Sequence, residues 1–283
     1  MLNRNSIEWS TLTGPAGMNG RRVIDAIYTL SENKYRDDNE NDQLDFWEIY
    51  HQLCHQHSLS TLTYAAIPHL VKFIEGETPI PLINVLLLFS DVKLSYSSRG
   101  YPQPEIPSDL KASFEASLEI ARDISLDHVQ HTNLSFIDFI DGLISLAGLH
   151  NLEYIHQTLR QLISEKGAIG LCKICSSETE ILSETAPFSV QLIVPHPTHP
   201  QNYLGTPFGP LMYVTPRELE NTPWDGSILE INALHWLAHF AKRSNQKEFL
   251  ETLPFLFGRY DCPSCSAELI PWEAVLNANH KNA

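Results

Sequence analysis

A chain of 283 residues with 43% hydrophobic and 10% aromatic content can bury one large core or two modest ones, which excludes a compositionally disordered protein. Nineteen Lys and Arg against 34 Asp and Glu give a formal net charge of −15. Such a surface repels phosphate backbones and anionic lipid, so nucleic acid and membrane are excluded as direct partners and a basic protein is favoured, although acidity serving solubility alone gives the same composition.

The predicted elements begin as a run of helices, over about 20–31, 43–57, 61–75 and 80–92, each marked by apolar residues at helical spacing. In "SDLKASFEASLEIARDI" the apolar positions Leu110, Phe114, Leu118, Ala121 and Ile124 recur at steps of four, four, three and three, which lines one helix face. Two more helices are predicted over about 134–148 and 151–164. Short polar or Pro/Gly segments such as "GETP" and "GYPQPEIP" separate them, and few stretches alternate with period two. The expected fold is therefore predominantly α, an array of antiparallel helix pairs over residues 1–165.

After residue 165 the texture changes. "GAIGLCKICSSETEILS" and "FSVQLIV" are short, β-branched and bounded by turn residues, as strands are. A Pro-rich stretch follows, then helices over about 228–241 and 246–257, with candidate N-terminal capping boxes at Ser227/Glu230 and Asn245/Glu248. Residues 166–283 thus read as a β insertion plus a C-terminal helical hairpin, packed as one unit with the array. "LISLAGLHNLEYIHQTLRQLI" and "LHWLAHFAKRSNQKEFLETLPFLF" both read as helix, polar turn, helix, and each precedes a CxxC pair. A duplicated hairpin-plus-knuckle unit and a chance likeness of two amphipathic hairpins both fit that pattern.

The N-terminal "MLNRNSIEWSTLTG" carries no apolar stretch of signal-peptide length, and the longest unbroken apolar run, Val85 to Phe89, is too short to cross a bilayer. A cytoplasmic location is expected. Four of the five cysteines fall in two CxxC pairs, Cys172/Cys175 and Cys262/Cys265, which suits a metal in a reducing compartment better than a disulfide framework. Cys54 is the odd one out and reads as a small buried hydrophobe.

"DFWEIYHQLCHQHSLSTLTYAAIPHLVKFIE" resembles the HEAT-like repeat proteins of bacteria: a helix ends near His55 and Gln56, and the next carries Ala65, Ala66, Pro68 and Leu70. Paired alanines allow close helix approach, and Pro68 removes a backbone donor and bends its helix. The resemblance implies a scaffold with a concave binding surface and brings no catalytic residues. "LCKICSSETEIL" and "DCPSCSAELI" resemble the two halves of a zinc ribbon. It implies that Cys172, Cys175, Cys262 and Cys265 hold one zinc tetrahedrally, with a small ribbon-like β insertion around it. Where many ribbons have Gly after the second Cys this chain has Ser176 and Ser266, and the two halves stand unusually far apart.

Other chemistry-bearing residues read as structural. Glu48/His51 and Glu153/His156 have the ExxH spacing of di-iron bundles, but two such pairs are close to what chance gives in a chain with 13 His. His51 and His55 lack an HExxH frame. Cys54 lies beside His51, His55 and His57 but within an amphipathic helix, and His196 and His199 in "PHPTHP" fit a stiff connector. No GxSxG elbow, P-loop or GxGxxG turn occurs. A zinc closed by four thiolates cannot readily activate water, so its expected role is structural. The functional expectation is a non-enzymatic protein-binding scaffold, specifically an immunity-type inhibitor of a basic toxin or effector; the alternative is a hydrolase or redox enzyme. Candidate acidic contacts are Asp37, Asp38, Glu40, Asp42 and Asp45.

Overall fold

The structure is a computed structural model that describes residues 1–32, 46–55, 58–75, 82–97, 104–165, 167–185, 188–193, 206–207, 224–262 and 264–282. It is mainly helical with small antiparallel sheets. Two compact units divide it, Met1–His128 with Gly148–Asn151, and Val129–Ala147 with Leu152–Ala283. The texture change read at 165/166 marks where strands begin, whereas the compact units part earlier, among helices. No helix among the described residues is long and apolar enough to cross a membrane.

The first unit begins with a 3-10 turn, Ile7–Thr11, followed by α1 (Gly20–Glu32), α2 (Phe46–Leu53), α3 (Thr61–Ile74), α4 (Leu82–Ser97) and α5 (Ser108–His128). α3 starts where the Thr63 hydroxyl accepts the Ser60 N–H at 3.1 Å and itself donates to the Leu53 carbonyl at 2.7 Å, satisfying one of the donors a helix start leaves unpaired. It continues through Pro68, and Ala65 and Ala66 are fully buried within it. Around α3 the core holds Trp9, Ile24, Ile27, Ile49, Tyr64, Phe89 and Phe114, with the Tyr64 and Phe114 rings 4.5 Å apart. Each such side chain contributes about 1.5–3 kcal/mol by leaving water. On α5, Phe114, Leu118 and Ala121 face inward as their spacing predicts, leaving Glu115, Glu119, Asp123 and Asp127 exposed at four-residue steps.

Buried His69 fixes the N-terminal segment to this core. Its Nε2–H donates to the Leu2 carbonyl and its Nδ1 accepts the Tyr28 hydroxyl, both at 2.8 Å. Burial holds the imidazole below its ordinary pKa, so the neutral form that this pairing needs is the favoured one.

The second unit contains most of α6 (Phe136–Leu149), then α7 (Glu153–Leu159) running into a π-helical turn (Arg160–Ser164). The strands β1 (Gly167–Leu171), β2 (Glu178–Thr185), β3 (Phe188–Ile193) and β4 (Thr206–Pro207) form an antiparallel sheet in chain order, with Gly167 opposite Leu182 and Glu180 opposite Ile193. After these come α8 (Ala233–Arg243), α9 (Lys247–Leu256), a two-stranded pair of β5 (Tyr260–Asp261) and β6 (Glu268–Leu269), and α10 (Pro271–Asn282). Phe139 meets Phe249 edge-on at 5.5 Å, and Phe257 stacks on Trp272 at 4.9 Å. β1 lies so close to α10 that a Cβ at Gly170 would come within 2.9 Å of the Ala274 Cβ and 2.7 Å of the Ile181 Cδ1.

Several local features differ from the sequence reading, among them the helix expected over 43–57, which ends at Leu53 and leaves Cys54 just beyond it. The helix expected from 228 starts as a 3-10 turn, Glu230–Asn232, because the Ser227 hydroxyl bonds Asp225 and the Asn232 amide rather than capping toward Glu230. Asn245 does not cap the following helix; it sits at φ 58° and ends α8. α10 was not predicted at all, although Pro271 at its first position is a helix-start signal.

The two hairpins echo each other down to the backbone. Asn151 and Asn245 both take left-handed φ, 60° and 58°, which Asn tolerates better than most residues. Leu152 N–H bonds Ala147 O and Asn151 N–H bonds Gly148 O; Gln246 N–H bonds Ala241 O and Asn245 N–H bonds Lys242 O. Both are Schellman turns. The second helix of each is disturbed at the matching place, by the π turn from Arg160 in one and by Pro254 in the other.

Candidate metal centre

Each hairpin leads through a strand into a cysteine turn. β1 delivers Cys172, whose N–H bonds the Ser177 carbonyl at 3.1 Å while Ser176 N–H bonds the Cys172 carbonyl at 2.9 Å. β5 delivers Cys262, whose N–H bonds the Ala267 carbonyl at 2.7 Å while Ser266 N–H bonds the Cys262 carbonyl at 2.8 Å. Ser176 and Ser266 both have φ of 56°. These are the positions where many ribbons have Gly, and Ser adopts the left-handed backbone there at a cost of roughly 1–2 kcal/mol each.

The two turns bring all four sulfurs together, each Sγ within 4.8 Å of the others. Cys172 Sγ lies 3.8 Å from Cys265 Sγ, and Cys175 Sγ lies 3.9 Å from Cys262 Sγ. Those distances are far beyond the S–S bond of about 2.05 Å. They match the edge, about 3.8 Å, of a tetrahedron whose centre is roughly 2.3 Å from each sulfur. Cys172 and Cys262 are buried, and Cys175 and Cys265 are exposed. The Ile174 N–H points at Cys172 Sγ at 3.4 Å.

Electrostatics favour a cation among these sulfurs. Hydrogen bonding from Ser177 draws the Cys175 thiol down to about 6. Cys265 is pulled down by the Ala267 N–H, yet desolvation and the neighbouring Cys175, Cys262 and Cys172 push it up to about 12. Four thiolates this close repel one another, so all four ionise together only when positive charge sits between them.

Among the described residues, no other set of three or more His, Cys, Asp or Glu converges in this way. Cys54 is buried, contacts the Ser95 hydroxyl at 3.4 Å and is pushed up to about 11 by burial, the condition of an inert thiol. His51 and His55 meet edge to face at 5.9 Å. His156 of the second ExxH pair is buried, with its Nδ1 donating to the Ile144 carbonyl at 3.0 Å, and Glu153 accepts from Gln157. His196, His199, His57, Gln56 and the acidic residues Asp37, Asp38, Glu40, Asp42 and Asp45 lie outside the described residues.

One residue beside the sulfurs escaped the sequence reading. The Ser177 hydroxyl is 2.9 Å from Cys175 Sγ and 3.9 Å from Cys262 Sγ. A serine two places past a CxxC carries no motif; the signal is its contrast with Ala267 at the same place in the other turn.

The fold and the site define a mainly helical protein with a closed four-cysteine cluster. Compared with known protein families, with characterised proteins and with solved structures, the chain matches none.

Proposed function

We propose that the chain is a non-enzymatic protein-binding scaffold whose second unit is stapled by a structural zinc on Cys172, Cys175, Cys262 and Cys265, and that it serves as an immunity-type inhibitor of a basic toxin or effector. The carrying observation is the sulfur geometry: four convergent cysteines at tetrahedral spacing, joining turns 87 to 93 residues apart. Soft thiolate ligands in a tetrahedron suit zinc, and four of them leave no open position for substrate or water. The metal then acts by linking distant chain segments.

The scaffold reading draws on the resemblance to bacterial HEAT-like repeats, for which the burial of Ala65 and Ala66 beside Pro68 in α3 is the expected packing. The basic partner draws on the net charge of −15 and on the exposed acidic row of α5. A toxin that cleaves nucleic acid needs a cationic cleft, and an acidic partner is steered into one quickly.

Two measurements test the reading. Elemental analysis of protein purified without added metal should find one zinc per chain; none, or a different metal, removes the zinc. Association with cationic nucleases should slow markedly between roughly 0.01 M and 0.15 M salt as the screening length shrinks. A rate indifferent to salt, or binding only to acidic proteins, removes the inhibitor reading.

A further inference from the structure

We infer that Ser177 is an affinity determinant of the metal site, a side chain that binds no metal itself but donates a hydrogen bond from its hydroxyl to the Cys175 thiolate; this rests on the zinc reading above. Its Oγ is 2.9 Å from Cys175 Sγ, on one of the two exposed ligands, and 3.9 Å from Cys262 Sγ across the site. A divalent ion with four thiolates carries a net charge of −2, and hydrogen bonds donated to the sulfurs spread that charge.

The duplicated architecture supplies its own control. The Ser177 carbonyl accepts the Cys172 N–H, closing the turn, and the Ala267 carbonyl does the same for Cys262 with no hydroxyl beside it. Both turns keep φ of 56° at the preceding serine, and the cross-site distances are 3.8 and 3.9 Å. The hydroxyl is therefore surplus to the fold of the turn. What it adds is a hydrogen-bond donor on one side of an otherwise near-symmetric cluster.

The symmetry also specifies a gain. A hydroxyl introduced by Ala267→Ser stands to Cys265 as Ser177 stands to Cys175. The experiment titrates the full chain with cobalt(II) and with zinc(II) against a chromophoric chelator, for the wild type, Ser177→Ala, Ser177→Thr, Ala267→Ser and the Ser177→Ala/Ala267→Ser double variant. Ser177→Ala should weaken both metals by about tenfold or more, the usual effect of removing a group that hydrogen-bonds a ligand. Ser177→Thr should restore affinity, Ala267→Ser should tighten it, and the double variant should return toward wild type. The cobalt–thiolate charge-transfer band should move to lower energy in Ser177→Ala, because a thiolate without its donor gives up an electron more easily; a purely structural role leaves that band unmoved. Ser177→Ala within twofold of wild type with an unchanged band overturns the inference. A wild-type chain that takes up neither metal overturns the zinc reading, and this inference with it.

Discussion

In the first unit Trp9, Ile24, Tyr64 and Phe114 are fully buried around α3, and an N-terminal segment is fixed to that core through His69. In the second, β1 and β5 each end in a cysteine turn, and four sulfurs converge from positions as far as 93 residues apart. One unit is held by apolar burial, which needs no condition beyond water; the other adds a cysteine cluster that, on the function proposed above, is a clasp dependent on a metal and on ionised thiols. The contrast lies in the added link: a bond between turns about 90 residues apart closes a long loop, which apolar packing alone does not do covalently.

The sharpest way to break the comparison is to remove the clasp. If the cluster holds zinc as proposed, Cys262→Ser, or dialysis against a strong chelator, should destabilise the second unit by about 4 kcal/mol when free zinc had stood a thousandfold above its Kd. Hydrogen exchange should show amides of β1, β2, α8 and α9 losing protection while those of α3 and α5 keep theirs. Equal loss in both units would mean that they do not differ in this way.

The converse cut is Phe114→Ala, which empties a fully buried aromatic site in the first unit. It should cost about 3 kcal/mol and leave metal content at its wild-type value. Urea unfolding with parallel metal analysis reads both.

How much of this contrast the sequence carried depends on the physics of each signal. α1 and α5 were legible because their inward faces repeat at helical spacing, and the four convergent cysteines because CxxC is a local pattern that aims two thiolates at one point. α10 was not, because its inward residues include the small Ala274 and Ala278 beside Trp272 and Val275, a weak apolar stripe. Asn245 was misread because Asn serves both helix starts and left-handed helix ends, and only the hydrogen bonds to Ala241 and Lys242 decide between them. Ser176 and Ser266 looked like departures from a ribbon, yet the backbone they adopt is the one Gly would take.

A gentler probe sharpens the account of the first unit. His69 is held neutral by burial, so its folded pKa lies below the ordinary value of 6.5. The unfolded chain takes up a proton below that value and the folded one resists it; stability is therefore full above about pH 6.5 and declines as pH falls from there toward the folded pKa. His69→Gln should flatten the fall of the urea midpoint between pH 7 and 5. Burial depresses His150 in the same unit too, so some slope should persist.

The smallest expected effects are gains. Ser176→Gly and Ser266→Gly each relieve a left-handed serine and should raise thermal stability by about 0.5–1 kcal/mol. Similar gains at the two sites would support the equivalence of the turns; a gain at one alone would confine it to their hydrogen bonds.

The order of the cysteines along the chain also sets a schedule for the newborn protein. Translation proceeds at about 5–20 residues per second, so the separation of 87 positions from Cys175 to Cys262 parts the emergence of the two turns by roughly 4 to 17 s. For that interval the first turn presents a two-thiolate half-site with no mate. If the cluster is a metal site, that half-site would hold an ion only loosely, or lose it to a competitor, until the second turn leaves the ribosome. On the metal reading proposed above, maturation of this protein is a race between the arrival of its own second pair of cysteines and the other thiols of its surroundings.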